Sequence, residues 1–201
     1  METKRSLFLV SVSVILLSLL SVWGAARAQD TSEYGSGHEE MPLSAEVSRQ
    51  IADTRQGTAS FRDFDGIEAA GYSKFLDCFQ NTDIGGMGQH YVNGDLAGDD
   101  VLDPTKPEAL VYEPTEDGQM NLVAFEYLVF ADTWDPNNTG REAPELFDQP
   151  FHLITTIPNT PPVWALHLWL WTDNPDGLFS DFNPIVFCPA NQPITDMTPA
   201  S

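Results

Sequence analysis

Apolar and polar residues follow two different rhythms along this chain. Residues 44–55 have helical composition with no internal Gly or Pro. Residues 65–77 then place Ile67, Ala70, Tyr72 and Phe75 on one side of a second predicted helix. Gly71 is the unfavourable residue inside that segment. After Cys78 the texture changes to short β-like runs at 87–93, 109–113, 119–130, 162–171 and 184–187. Turn-rich linkers such as Asn93-Gly94-Asp95 and Asp135-Pro136-Asn137-Asn138 separate them. The connection 113–119 is short enough for a hairpin loop. Helices first and strands afterwards predict an α+β fold: N-terminal helices packed on a mainly antiparallel β-sheet, in a single domain.

The ends of the chain read differently. Lys4 and Arg5 precede an apolar stretch, and Ala26-Arg27-Ala28 supplies an A-x-A cleavage pattern. Residues 1–28 are therefore expected to be a secretory signal, with a secreted or periplasmic destination for the rest. An uncleaved membrane anchor is the alternative, because the apolar stretch approaches the length of a span. Residues 29–43 read as a flexible lead-in, 44–191 as the folded domain and 192–201 as a flexible tail.

Charge narrows the partners. The chain carries 30 Asp+Glu against 9 Lys+Arg, a formal net charge of −21. Cleavage after Ala28 removes three basic residues and one acidic one, leaving −23. Nucleic acid and anionic membrane surfaces repel such a chain, so the expected partners are a small molecule or a metal ion. In an oxidising compartment the two cysteines, Cys78 and Cys188, are expected to pair and staple the domain.

Several chemistries are excluded by spacing. The chain has no G-x-S-x-G elbow, no P-loop and no H-E-x-x-H. The acidic turn 172–183 has Thr172 and Asn183 where a calcium loop needs Asp and Glu. The aromatic run is more informative. Alternation puts His167, Trp169 and Trp171 on one strand face and Trp164, Leu166, Leu168 and Leu170 on the other. The first face suits a ligand-stacking wall, with Tyr91, Trp169 and Trp171 as the binding aromatics, or else a second covered face. In the run 119–130, Glu126 shares its phase with Leu122, Ala124, Leu128 and Phe130. A carboxylate on an apolar face requires a partner.

His90 follows Gly85, Gly86 and Gly88, where the backbone permits close approach. His90, Glu126 and His167 are thus the candidate divalent-metal ligands, two imidazoles and one carboxylate. A His–Glu hydrogen bond filling a polar hole in the core is the competing reading. His152 is a weaker fourth candidate, and His38 lies in the lead-in.

The chain carries the strings Gly85-Gly86-Met87-Gly88-x-His90-Tyr91-Val92-Asn93 and Pro107-Glu108-Ala109-Leu110-Val111-Tyr112-Glu113-Pro114, the Glu126-Tyr127 strand and a further block. That block runs from Leu166-His167-Leu168-Trp169-Leu170-Trp171 through Asn174-Pro175-x-Gly177-x-Phe179 to Asn183-Pro184-x-Val186-x-Cys188. Together they resemble a group of exported bacterial proteins with no assigned activity, over roughly 59–188. The resemblance implies export and supplies no reaction. Three functions follow from the residues: a binder of a small ligand or divalent metal, a metal-dependent hydrolase, or a structural protein without a ligand.

Overall fold

The computed structural model describes residues 42–197. The expected signal and nearly all of the lead-in lie outside the described residues. Among the described residues no helix is long and apolar enough to cross a membrane.

Helix α1, Ala45–Gly57, starts where its sequence provides a cap. Ser44 Oγ accepts the Val47 amide at 3.1 Å, satisfying one of the orphan donors of the first turn. Arg49 reaches both Glu46 and Asp53 on the exposed side, while Val47 and Thr54 are buried. Two single-turn 3-10 segments follow, Ala59–Arg62 and Phe64–Gly66.

The second predicted helix does not form. Gly71 adopts φ +93°, a left-handed conformation that glycine tolerates and that ends the turns. Strand β1, Tyr72–Asn81, begins at the next residue. Its register shifts between Phe75 and Phe79, with Leu76 at φ 54°. Ile67 and Ala70 lie in the turns before the strand and only Tyr72 and Phe75 belong to it, so the helical spacing of the four spans two kinds of structure.

The sheet continues with β2 (Gly85–Asn93), β3 (Ala109–Pro114) and β4 (Met120–Phe130). Helical turns α2 (Gly94–Ala97) and α3 (Ala131–Trp134) lie in the connections. A separate small hairpin pairs β5 (Glu145–Leu146) with β6 (Gln149–Pro150). Strands β7 (His152–Ile154), β8 (Val163–Leu168) and β9 (Ile194–Asp196) complete the main sheet. The spatial order is β7-β8-β4-β3-β2-β1-β9. All neighbours are antiparallel except β1 and β9. The expected α+β fold and the β3–β4 hairpin are therefore present.

Two expectations change. Residues 184–187 are not a strand. Asn183 makes an isolated bridge to Gly86, and Val186 folds back so that the Gly86 amide reaches the carbonyls of both Asn183 and Val186. Residues 194–196 are not tail but an edge strand. The Cys78–Cys188 disulfide, with Cα atoms 5.8 Å apart, returns the chain to β1, where Ile194 pairs beside Cys78. Closing a loop of 110 residues contributes about 4–5 kcal/mol on the chain-entropy model.

Alternation along the central strands divides the core. Leu110, Phe125, Tyr127, Leu166 and Leu168 face α1 and the 3-10 turns, joining Val47, Ile67, Tyr72 and Tyr112. The opposite face holds Ala109, Leu128 and Ala165 in one cluster and Val111, Ala124 and Trp169 in another. Glu126 and His167 lie on this second face, between the clusters. One residue departs from the expected phase: a register shift opposite Val111 and Tyr112 turns Leu122 toward the helix face.

Candidate metal centre

Glu126 on β4 pairs directly with His167 on β8. His90 sits on β2, two strands from Glu126, a lateral distance of roughly 10 Å between backbones. The strand between them supplies Ala109 opposite Glu126 and Val111 opposite His90. Ala109, Ala124 and Ala165 are small side chains in otherwise bulky strands, so the two longer side chains meet above β3.

The three side chains gather tightly. His90 Nε2 lies 3.4 Å from His167 Nε2 and 3.5 Å from Glu126 Oε2, and His167 Nε2 is 3.9 Å from Glu126 Oε1. The residues are 3%, 0% and 8% exposed for His90, His167 and Glu126. Both carboxylate distances exceed those of a formed hydrogen bond, about 2.7–3.2 Å. Two atoms each about 2.0–2.1 Å from one tetrahedral ion stand about 3.3–3.4 Å apart; the His90–His167 distance matches that, the His90–Glu126 distance is close to it, and the His167–Glu126 distance is about 0.5 Å longer. His90, Glu126 and His167 are the group that could hold a metal among the described residues.

Electrostatics set the two imidazoles apart. Burial pushes the His90 ring down to about 4, more than the nearby Glu126 carboxylate restores. It is a neutral base at neutral pH, the form that binds metal. Burial opposes charge on His167 too, but Glu126 and Asp181 together outweigh it and raise its pKa.

Asp181 is the neighbour of the cluster that sequence reading misses. Its Oδ1 lies 3.7 Å from His167 Nδ1, on the far side of the ring from the cluster, and 3.3 Å from His152 Nε2. His152 therefore joins the surroundings of the site and not the cluster itself. Asp181 sits in an irregular stretch with no spacing signal. The alanines opposite and beside Glu126 were the signal available for the pocket.

The expected binding aromatics do not assemble. Trp169 is buried, stacks on His167 with ring planes 13° apart, and donates from Nε1 to Ser180 O at 2.6 Å. Its face is a covered one, not an open platform. Tyr91 turns to the other side of the sheet, edge-on to Phe64 and Tyr112. The ladder of β8 stops at Leu168, after which the Trp171 amide reaches Val123 O and alternation no longer holds. Trp171 packs against the helix-face core instead. The glycines also differ from expectation. A side chain at Gly86 would meet Val186 O at 2.6 Å, so the segment after Asn183, and not a ligand, occupies that space.

A small apolar cleft leads to the cluster. A cavity of ≈ 20 Å³ reaches His90 and Glu126 among Phe75, Phe79, Met87 and Ile157. Beside it a cavity of ≈ 60 Å³ ends on Glu126 between Phe75, Leu128, Phe130 and Val163.

Comparison with protein-family profiles, curated proteins and solved structures finds no match to this chain.

Proposed function

We propose that this is an exported protein that binds a divalent metal ion through His90, Glu126 and His167. The observation that supports the reading is that His90 Nε2, His167 Nε2 and the two oxygens of the Glu126 carboxylate, all on buried residues, stand 3.4, 3.5 and 3.9 Å apart. Three protein ligands leave a fourth coordination place for water or a small ligand. The apolar cleft ending on Glu126 gives such a ligand its route, and its size favours a short apolar group over a peptide. The disulfide and the secretory pattern of residues 1–28 support a location outside the cytoplasm.

The test is metal analysis of protein purified without a histidine tag, with calorimetric titration of zinc into chelator-treated material. One ion per chain is expected, and its loss in His90→Ala and His167→Ala.

A second reading rests on the open coordination place. A metal-dependent hydrolase needs a position for an activated water beside a substrate pocket. Turnover of ester, amide or phosphoester substrates by loaded protein, abolished by Glu126→Gln together with metal binding, separates this reading from a plain binder.

A further inference from the structure

Positive charge is scarce in this chain, which makes its placement informative. Among the described residues Arg49, Lys74, Lys106 and Arg141 each lie within 4.0 Å of a carboxylate. Arg55 and Arg62 have no ion pair among the described residues, although acids outnumber bases 30 to 9. Both stand over the same indole: the Arg55 guanidinium is 5.2 Å and that of Arg62 5.4 Å from the Trp171 ring centroid. The two like charges are thus no farther apart than about one Debye length at 0.1 M salt. Each gains a cation–π attraction there, and neither has a carboxylate within 4.0 Å among the described residues to offset their mutual repulsion.

The place is also concave. Arg62 and Trp171 line a cavity of ≈ 260 Å³ with Met120, Asn121 and Leu122, at the start of β4. It opens on the helix side of the sheet, the face opposite the His90–Glu126–His167 cluster. Nothing in it carries negative charge.

We infer that this pocket binds the oxyanion group of a small molecule, a carboxylate or a phosphate, through Arg62 of its lining, with Arg55, over the same Trp171 ring, as a second cation beside it. Guanidinium forks match oxyanions two donors at a time. Each guanidinium is held against the Trp171 ring, which lowers the entropy lost on binding. The Asn121 amide adds a neutral donor, and Met120 and Leu122 offer apolar contact to the body of the molecule. The strongly acidic surroundings repel anions generally, so a molecule captured here is selected by the local pair and not by the field of the whole protein. This inference is independent of the metal reading.

The test is a nuclear magnetic resonance titration of the full chain, following the Trp171 indole N–H signal assigned through Trp171→Phe. Inorganic phosphate and acetate are added in separate arms, each against sodium chloride at equal ionic strength. A saturable shift with phosphate, acetate or both, and none with chloride, is expected. Whichever arm saturates at lower concentration identifies the group. Arg55→Gln and Arg62→Gln should each weaken binding about tenfold or more, the fold-change of one lost charge-assisted hydrogen bond. Arg141→Gln should bind as the wild type does, since Arg141 stacks on Trp134 and has Asp100 as a partner. Equal shifts with chloride, no saturation in either arm, or unchanged binding in the double Arg55→Gln/Arg62→Gln variant would overturn the inference.

Discussion

Asp181 Oδ1 stands 3.7 Å from His167 Nδ1, while the opposite nitrogen of the same ring faces His90 and Glu126. At 3.7 Å the contact is longer than a formed hydrogen bond, so Asp181 acts on the ring through its charge, which with that of Glu126 raises the His167 pKa against burial and favours a carboxylate-backed imidazole as a ligand. Asp181→Asn should leave the fold intact and lower metal affinity by about 10–100-fold, the usual effect of losing such a partner. Competition against a chromophoric chelator measures it. Unchanged affinity would show that Asp181 serves only the surface pair with His152.

Glu108 gives a second expectation, in stability. It is 1% exposed, and Leu128 N donates to its Oε2 at 3.1 Å. Burial is the largest influence and pushes its pKa from 4.5 up to about 8. The folded state therefore holds this proton where the unfolded chain has released it. Stability falls as pH rises from about 4.5 to about 8, by at most about 1.4 kcal/mol per unit. Glu108→Gln should remove that slope, so its advantage over the wild type grows across this window. Denaturation midpoints at several pH values check it, the difference between the two proteins isolating this group from the other acids.

The disulfide should leave no free thiol in denatured, unreduced protein. Reduction, or Cys78→Ala with Cys188→Ala, should cost about 4–5 kcal/mol on the chain-entropy model, read as a lower denaturation midpoint. Stoichiometric thiol labelling without reductant would contradict the pairing.

The sheet was legible where alternation ran unbroken. β2, β3 and β4 lie where their apolar runs place them, because both faces of these central strands are covered. β1 was hidden because Ile67 and Ala70, in the turns before it, fall at helical spacing with Tyr72 and Phe75, and its bulge at Leu76 breaks the alternation that follows. β9 was hidden because a three-residue edge strand exists only once the disulfide brings it to β1. At the site, His90, Glu126 and His167 were legible as ionisable residues in mid-strand. Asp181 was not, since an irregular segment reaches His167 only through tertiary folding. Trp171 was misread because alternation was extended past Leu168, where the ladder ends.

Salt offers a check on the surface. With a net charge of −21, screening should relieve self-repulsion and raise the melting temperature between low and high sodium chloride. A flat or falling midpoint would mean that the acids are already well spaced.

The most direct measurement is zinc titration into wild-type, His90→Ala and His167→Ala proteins, with denaturation midpoints on the same metal-free samples. The expected result is one ion per wild-type chain, affinity falling with acid as protons compete for the imidazoles, and steep loss of affinity in both folded variants. A wild-type protein that takes up no metal, with variants destabilised by about 1–3 kcal/mol through the partner left unsatisfied, would contradict the metal centre and leave a buried polar cluster in its place.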